Sequence, residues 1–258
     1  CAIGALEQAI ESAPRAALPA YLSDLGAVLC LRFQFGGGLE DLGSGLQALR
    51  EAATVTESDF PGLPSCLNNL GSALMLRYHQ ESEPSYLDEA IAALRRSVQI
   101  TPAVSHQMPL HLAGLANALS ERHEATGNAD DLKEALSVGD RALELVSLDS
   151  PERAMLLMNR GKALNDQYLL SGDQNSLDKA AALAEEALSC SEIDSPRAAT
   201  VLYNLGTSLR HRYEIDGDSR YLKRATDAFR DACIAGLASD PATARDAARI
   251  WGAWAMER

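Results

Sequence analysis

The sequence predicts an all-α fold: a right-handed α-solenoid of tandem antiparallel helix pairs with a 45-residue period. Three observations carry that prediction. Residues 203–225, "YNLGTSLRHRYEIDGDSRYLKRA", repeat in register the phrase at 68–90, "NNLGSALMLRYHQESEPSYLDEA", 135 positions earlier. Columns recur at the 45-residue interval: Gly26, Gly71, Ala116, Gly161, Gly206; Leu42, Leu87, Leu132, Leu177, Leu222; and Gly45, Ala90, Ala135, Ala180, Ala225. Within each unit the apolar spacing is helical, and no segment alternates like a strand.

Proline marks the unit starts at Pro61, Pro151, Pro196 and Pro241, with His106 in the remaining place. Five repeats follow, at 16–60, 61–105, 106–150, 151–195 and 196–240. Residues 1–15 read as the end of a preceding repeat and 241–258 as the first helix of a further one, in one continuous solenoid. The start at Cys1, inside a helix-like stretch, marks the chain as a piece of something longer.

Each element of the repeat has a local reason. Leu67, Leu70, Leu74 and Tyr78 form one stripe of a first helix, and Leu87, Ala90, Ile91, Leu94 and Val98 a stripe of a second. Between them stand Gly127-Asn128, Gly172-Asp173 and Gly217-Asp218 in the last three repeats. Glycine takes the left-handed residue that ends a helix, and Asn or Asp caps the next one. Proline at a unit start suits a first helical turn, where its missing donor is not needed. The Gly and Ala columns let the helices of a pair approach closely. A lone pair cannot bury its apolar face, so repeats must stack, with a concave face lined mainly by first helices.

Composition restricts the function. Of 258 residues, 47% are hydrophobic and only 5% aromatic, which suits helix–helix packing. The net charge of −13, from 36 acidic and 23 basic residues, argues against nucleic acid or an anionic membrane surface as partner. No stretch has the length and apolarity of a membrane span, and no leader pattern is visible. Five scattered cysteines without a CxxC pattern read as reduced, mostly buried thiols in a cytoplasmic protein.

The residues "LG…L…Y" on the first helix, with small residues on the second, resemble the tetratricopeptide repeat (TPR). The usual TPR period is shorter, and the lengthened pattern "NLG-x2-L-x2-RY-x3-GD-x3-L-x2-A" is similar to the arrays found ahead of CHAT domains, which are caspase-like peptidases. The closing "ARDAARIWGAWAMER" is similar to the end of such arrays. The resemblance covers essentially the whole chain. It implies a sensing or regulatory arm for a CHAT-type peptidase, attached or separate; no peptidase domain is present in this sequence.

No catalytic constellation is visible. A caspase-like site needs a Cys activated by a His, and none of His79, His106, His111, His123 and His211 ends a strand. His123 sits in the packing column of Phe33, Tyr78, Tyr168 and Tyr213. His106 and His111 lack the spacing and the supporting carboxylate of a metal pair. Gly36-Gly37-Gly38 has no Lys-Ser/Thr after it and serves as an inter-helix turn, not a phosphate loop. No cofactor, metal site or catalytic residue is expected.

What remains is a surface for a protein or peptide. One first-helix column reads Asp24, Asn69, Gly114, Asn159, Asn204. Asn carries a donor and an acceptor and pairs with an extended backbone without reading its sequence. Two further columns, expected to be exposed, are Ala27, Ser72, Asn117, Lys162, Thr207 and Cys30, Met75, Ser120, Asn165, Arg210. The ladder Arg32, Arg77, Arg122, Arg212, interrupted by Gln167, is expected to pair with acids of its own or adjacent repeats. Trp251 and Trp254 are candidate end contacts for self-association. The expected function is a non-catalytic scaffold binding a protein or peptide in its concave groove; self-association through the end repeats is the alternative.

Overall fold

The computed structural model describes residues 2–55, 61–190 and 197–256, and among them every regular element is helical. Pro196 and Cys1 lie outside the described residues. The chain forms two compact units, Cys1–Asp131 and Leu132–Arg258. Unit 1 holds α1 (Ala2–Ser12), α2 (Leu18–Gln34), α3 (Leu39–Val55), α4 (Leu63–Glu81), α5 (Ser85–Ile100) and α6 (Met108–Thr126). Helix α7 (Ala129–Leu145) carries the border between units. Unit 2 continues with α8 (Arg153–Ser171), α9 (Gln174–Ser189), α10 (Ala198–Asp216), α11 (Ser219–Ser239) and α12 (Pro241–Met256).

Within unit 1, α2 packs on α3 and α4 on α5, while α3 meets α4 and α5 meets α6. Unit 2 repeats the scheme with α8 on α9, α10 on α11, and the steps α9 to α10 and α11 to α12. First helices also touch the next first helix: α2 with α4, α4 with α6, α8 with α10, α10 with α12. This is the tandem helix-pair packing of an α-solenoid, as the period predicts.

The turns have the expected chemistry. Gly127, Gly172 and Gly217 sit at φ of +72°, +71° and +67°, and their N–H groups donate to the carbonyls of His123, Tyr168 and Tyr213. Asp173 and Asp218 then cap α9 and α11 by accepting from the N–H groups of Asn175 and Arg220, and Asn128 accepts from that of Asp130 at the start of α7. The corresponding residue after α4 is Ser82, a left-handed residue with φ of 55°. Proline behaves differently from expectation at two starts. Pro61 and Pro151 lie in turns ahead of α4 and α8. The prolines within first turns are Pro19, Pro64 and Pro109, a 45-spaced column of their own.

The glycine column is explained by contact. A Cβ on Gly26 would lie 2.5 Å from Leu49 Cγ, one on Gly71 2.4 Å from Leu94 Cγ, and one on Gly206 2.9 Å from Phe229 Cε1. Leu49, Leu94 and Phe229 share a column 23 residues further on, and all three are fully buried. At Gly161 the corresponding residue is Ala184, and the nearest atom to an added Cβ is 3.5 Å away. Large residue over glycine is therefore the rule of the pair interface, relaxed where the overhanging residue is small.

Candidate partner-binding face

A first helix in this fold is covered on several sides: by its own second helix, by the preceding second helix and by neighbouring first helices. Helix α4 accordingly buries ten residues, from Leu63 to Met75, spread around much of its circumference. What is left accessible is a narrow strip, and the polar columns must be judged against it.

The column of Asp24, Asn69, Asn159 and Asn204 lies on that strip, with Asp24 exposed and the three asparagines half-buried. So does the column of Ala27, Asn117, Lys162 and Thr207, all half-buried, with Ser72 exposed. The third column is a correction. Cys30, Met75, Ser120 and Asn165 are buried, and in that column Arg210 alone is half-exposed. Neighbouring helices cover them: Cys30 Sγ lies beside Gly45 of its own second helix, while Met75 and Asn165 meet the next first helix. Asn117 Nδ2 approaches Met75 Sδ at 3.9 Å, across α4 and α6. Asn165 Oδ1 accepts from Ser208 Oγ at 2.7 Å, and its Nδ2 donates to the Asn204 carbonyl at 3.4 Å, across α8 and α10. Asn165 is thus a tie between helices. Ser208 was detectable in sequence, as the polar member of a column otherwise reading Val28, Ala73, Ala118, Ala163.

Unit 2 brings several candidates together. Asn159, Lys162 and Asn165 stand on α8, Asn204 and Arg210 on α10, Trp251 and Trp254 on α12. Asn204 Nδ2 is shielded from solvent and has no hydrogen-bond acceptor among the described residues. Arg210 reaches Glu214 at 3.5 Å and donates from Nη2 to His211 Nε2 at 3.1 Å. Trp251 and Trp254 are half-buried against the unit 2 core around Phe229 and Ala247, and the Trp254 ring meets Tyr213 edge-on at 5.9 Å. Extending the columns places Arg249 in line with Asn204, Trp251 in line with Gly206, and Trp254 in line with Leu209. In unit 1, Asn69 stands on α4 and Asn117 on α6.

The arginine ladder is spoken for by the fold. Arg32 and Arg122 each hold an aspartate nine residues on: Arg32 Nε donates to Asp41 and Arg122 Nε to Asp131, both at 2.8 Å. Arg122 also reaches Asp88 at 2.7 Å, joining α6 to α5. Arg77 pairs with Glu81 at 2.5 Å. Arg212 pairs with Asp178 at 3.2 Å and Asp216 at 3.0 Å and lies over the Tyr221 ring. Where Gln167 replaces arginine, the residue nine later is Ser176, whose hydroxyl donates to Gln167 Oε1. The column nine residues on reads Asp41, Tyr86, Asp131, Ser176, Tyr221, with aspartate after Arg32 and Arg122 and tyrosine after Arg77 and Arg212.

The remaining candidate chemistry is structural. His111 is buried, with Nδ1 at 2.8 Å from Thr101 Oγ1, which itself donates to the Ser97 carbonyl. Nδ1 therefore carries the proton in that chain. Burial lowers the pKa of His111, and burial followed by the Arg210 charge lowers that of His211. His123 Nδ1 donates to the Asn128 carbonyl at 2.8 Å beside the α6 cap. Cys30 is a buried free thiol whose pKa burial pushes up to about 11; Cys66 is buried, Cys233 half-buried and Cys190 exposed. Among the described residues no cluster of His, Cys, Asp and Glu is arranged to hold a metal ion, and no helix is long and apolar enough to cross a membrane.

The geometry defines a TPR-like array of helix pairs, and solved structures agree. The chain is similar to YrrB, a TPR protein with an unusual peptide-binding site, at 15% identity over 95% of this chain and 98% of that one, with a TM-score of 0.53. It is similar to nearly identical TPR-like repeats of a kinesin light chain from P. anserina, at 13% identity over 80% and 95% of the two chains, with a TM-score of 0.55. It also resembles BtubC from P. vanneervenii, at 18% identity over 89% and 86%, with a TM-score of 0.53. No family model matches the chain, and no curated protein does.

Proposed function

We propose that this chain is a non-catalytic TPR-like scaffold that binds an extended segment of a partner protein along the accessible strip of its first helices. The observation that carries this reading is the asparagine column: Asn69 in unit 1, and Asn159 and Asn204 in unit 2, remain half-exposed between buried apolar columns. YrrB, with the same fold, is described as having a peptide-binding site. The repeat boundaries are those of the 45-residue columns. The likeness of the pattern to arrays ahead of CHAT domains supports a place as the cytoplasmic regulatory arm of a CHAT-type peptidase. A partner favouring one conformation of the array would then shift the equilibrium of the effector.

Selection of a displayed peptide library on the immobilised chain tests this. Selected peptides are expected to bind wild type and to lose roughly tenfold or more in affinity on the Asn69→Ala/Asn159→Ala/Asn204→Ala variant. Selected peptides that bind this variant undiminished would show that the asparagine strip is not the site.

A further inference from the structure

One register relation recurs between helices of the same kind. Residues 39 apart face each other: Arg50 pairs with Glu89 across α3 and α5, and Glu185 with Arg224 across α9 and α11. Between first helices, Asn165 Nδ2 meets the Asn204 carbonyl across α8 and α10. One period later the same two positions, on α10 and α12, are Arg210 and Arg249. Where the register elsewhere sets opposite charges or an amide link, here it sets two cations.

Both arginines border one cleft of about 450 Å³, whose other walls are Tyr203, Ile250, Ala253 and Trp254. Neither guanidinium is saturated by its neighbours. Arg210 Nε lies 3.5 Å from Glu214 without hydrogen-bond geometry and Nη2 donates to His211 Nε2 at 3.1 Å, which leaves Nη1 without a partner among the described residues. Arg249 is 78% exposed and meets Asp246 at 4.0 Å, the outer limit of an ion pair. On a chain of net charge −13, two arginines only loosely held by their own acids thus border one opening of ligand-pocket size.

We infer that this cleft seats an acidic side chain of a protein partner, with its carboxylate between Arg210 and Arg249 and an adjacent aliphatic or aromatic side chain against Tyr203, Ile250 and Trp254. Planar guanidinium groups bind carboxylates in paired hydrogen bonds, and an aromatic-lined pocket supplies the apolar anchor. Nucleic acid is a poor occupant, because two arginines do not make the continuous basic track that a phosphate backbone needs. The inference rests on the first helices being a peptide-binding face, and it names the chemistry of the segment.

The two tryptophans of the chain, Trp251 and Trp254, both lie on α12, so intrinsic fluorescence reports on this cleft directly. The probe is a short blocked peptide of Glu, Leu and Gly, titrated into the full chain alongside versions carrying Gln or phosphoserine in place of Glu. The Glu peptide is expected to give a saturable change that weakens with added salt, and the Gln version to bind at least tenfold more weakly. Arg249→Glu, a change at an exposed position, is expected to weaken the Glu peptide by at least tenfold, and Arg210→Gln to do the same. Equal binding of the Glu and Gln peptides, binding of the phosphoserine peptide alone, or no response to Glu would overturn the inference. The asparagine triple variant separates the two readings. If library-selected peptides depend on the asparagines while the arginine variants leave the Glu titration unchanged, the strip stands and the cleft falls. If the Glu peptide depends on the arginines but not on the asparagines, the cleft stands and the strip falls.

Discussion

At the scale of single residues, the glycine column makes opposite predictions at two positions that look alike in sequence. At Gly71 an added methyl group would collide with Leu94, which is fully buried and has nowhere to go. Gly71→Ala is expected to destabilise unit 1 by about 1–3 kcal/mol, the usual cost of overpacking. At Gly161 there is van der Waals room, so Gly161→Ala is expected to be neutral or to gain about 0.5–1 kcal/mol from helix propensity. Urea denaturation of both variants checks the pair; a similar loss in each would mean the overhang rule is wrong. The buried histidines set a pH dependence. Burial lowers the folded pKa of His111 and His211 below the ordinary value of 6.5. Below that pH the unfolded chain binds protons that the folded chain does not, so stability falls as pH drops from about 6.5 toward the folded pKa values. His111→Gln is expected to flatten this acid-side loss, measured as Tm between pH 7 and 5; an unchanged slope would assign the loss to other groups.

At the scale of elements, the turns are modular. Asp173 accepts the Asn175 N–H at the start of α9, so Asp173→Ala is expected to cost about 1 kcal/mol by thermal unfolding. After α4, Ser82 holds a left-handed backbone that glycine holds in later repeats. Ser82→Gly is expected to recover up to about 1 kcal/mol of that strain; a loss would show that the Ser side chain matters more than its backbone. These elements were legible in sequence because each signal is local: Gly then Asn or Asp, at a fixed interval. The face of the first helix was not legible in the same way. One stripe of leucines marks one contact, but α4 is enclosed by α3, α5, α2 and α6, and small or polar residues face several of them. That is why Asn165 reads as exposed in a column of varied residues and yet is buried against α10. The Arg-to-Asp pairing nine residues on holds in the first and third repeats, where Asp41 and Asp131 stand, and the arginine column alone does not predict it.

At the scale of the whole molecule, charge is the first consideration. A net charge of −13 opposes close association of identical chains at low salt. The tryptophans that were candidates for end-to-end contact lie half-buried against their own unit, leaving less apolar surface for a second copy. Light scattering across a tenfold concentration range is therefore expected to find a monomer. A dimer that Trp251→Ala and Trp254→Ala dissociate, with helicity retained, would instead make self-association the function. Fold class and repeat period were legible from 45-spaced columns because every copy needs the same neighbours. The arginine cleft was not, because it depends on continuing those columns into α12 and noticing what replaces asparagine there.

The large-over-glycine rule has one more consequence. In α12 the position aligned with Gly26, Gly71 and Gly206 is Trp251. An indole stands where, in α2, α4 and α10, a second helix comes so close that even a methyl group is refused. A second helix packing on α12 would therefore need a small residue opposite the indole, the reverse of the arrangement between α4 and α5.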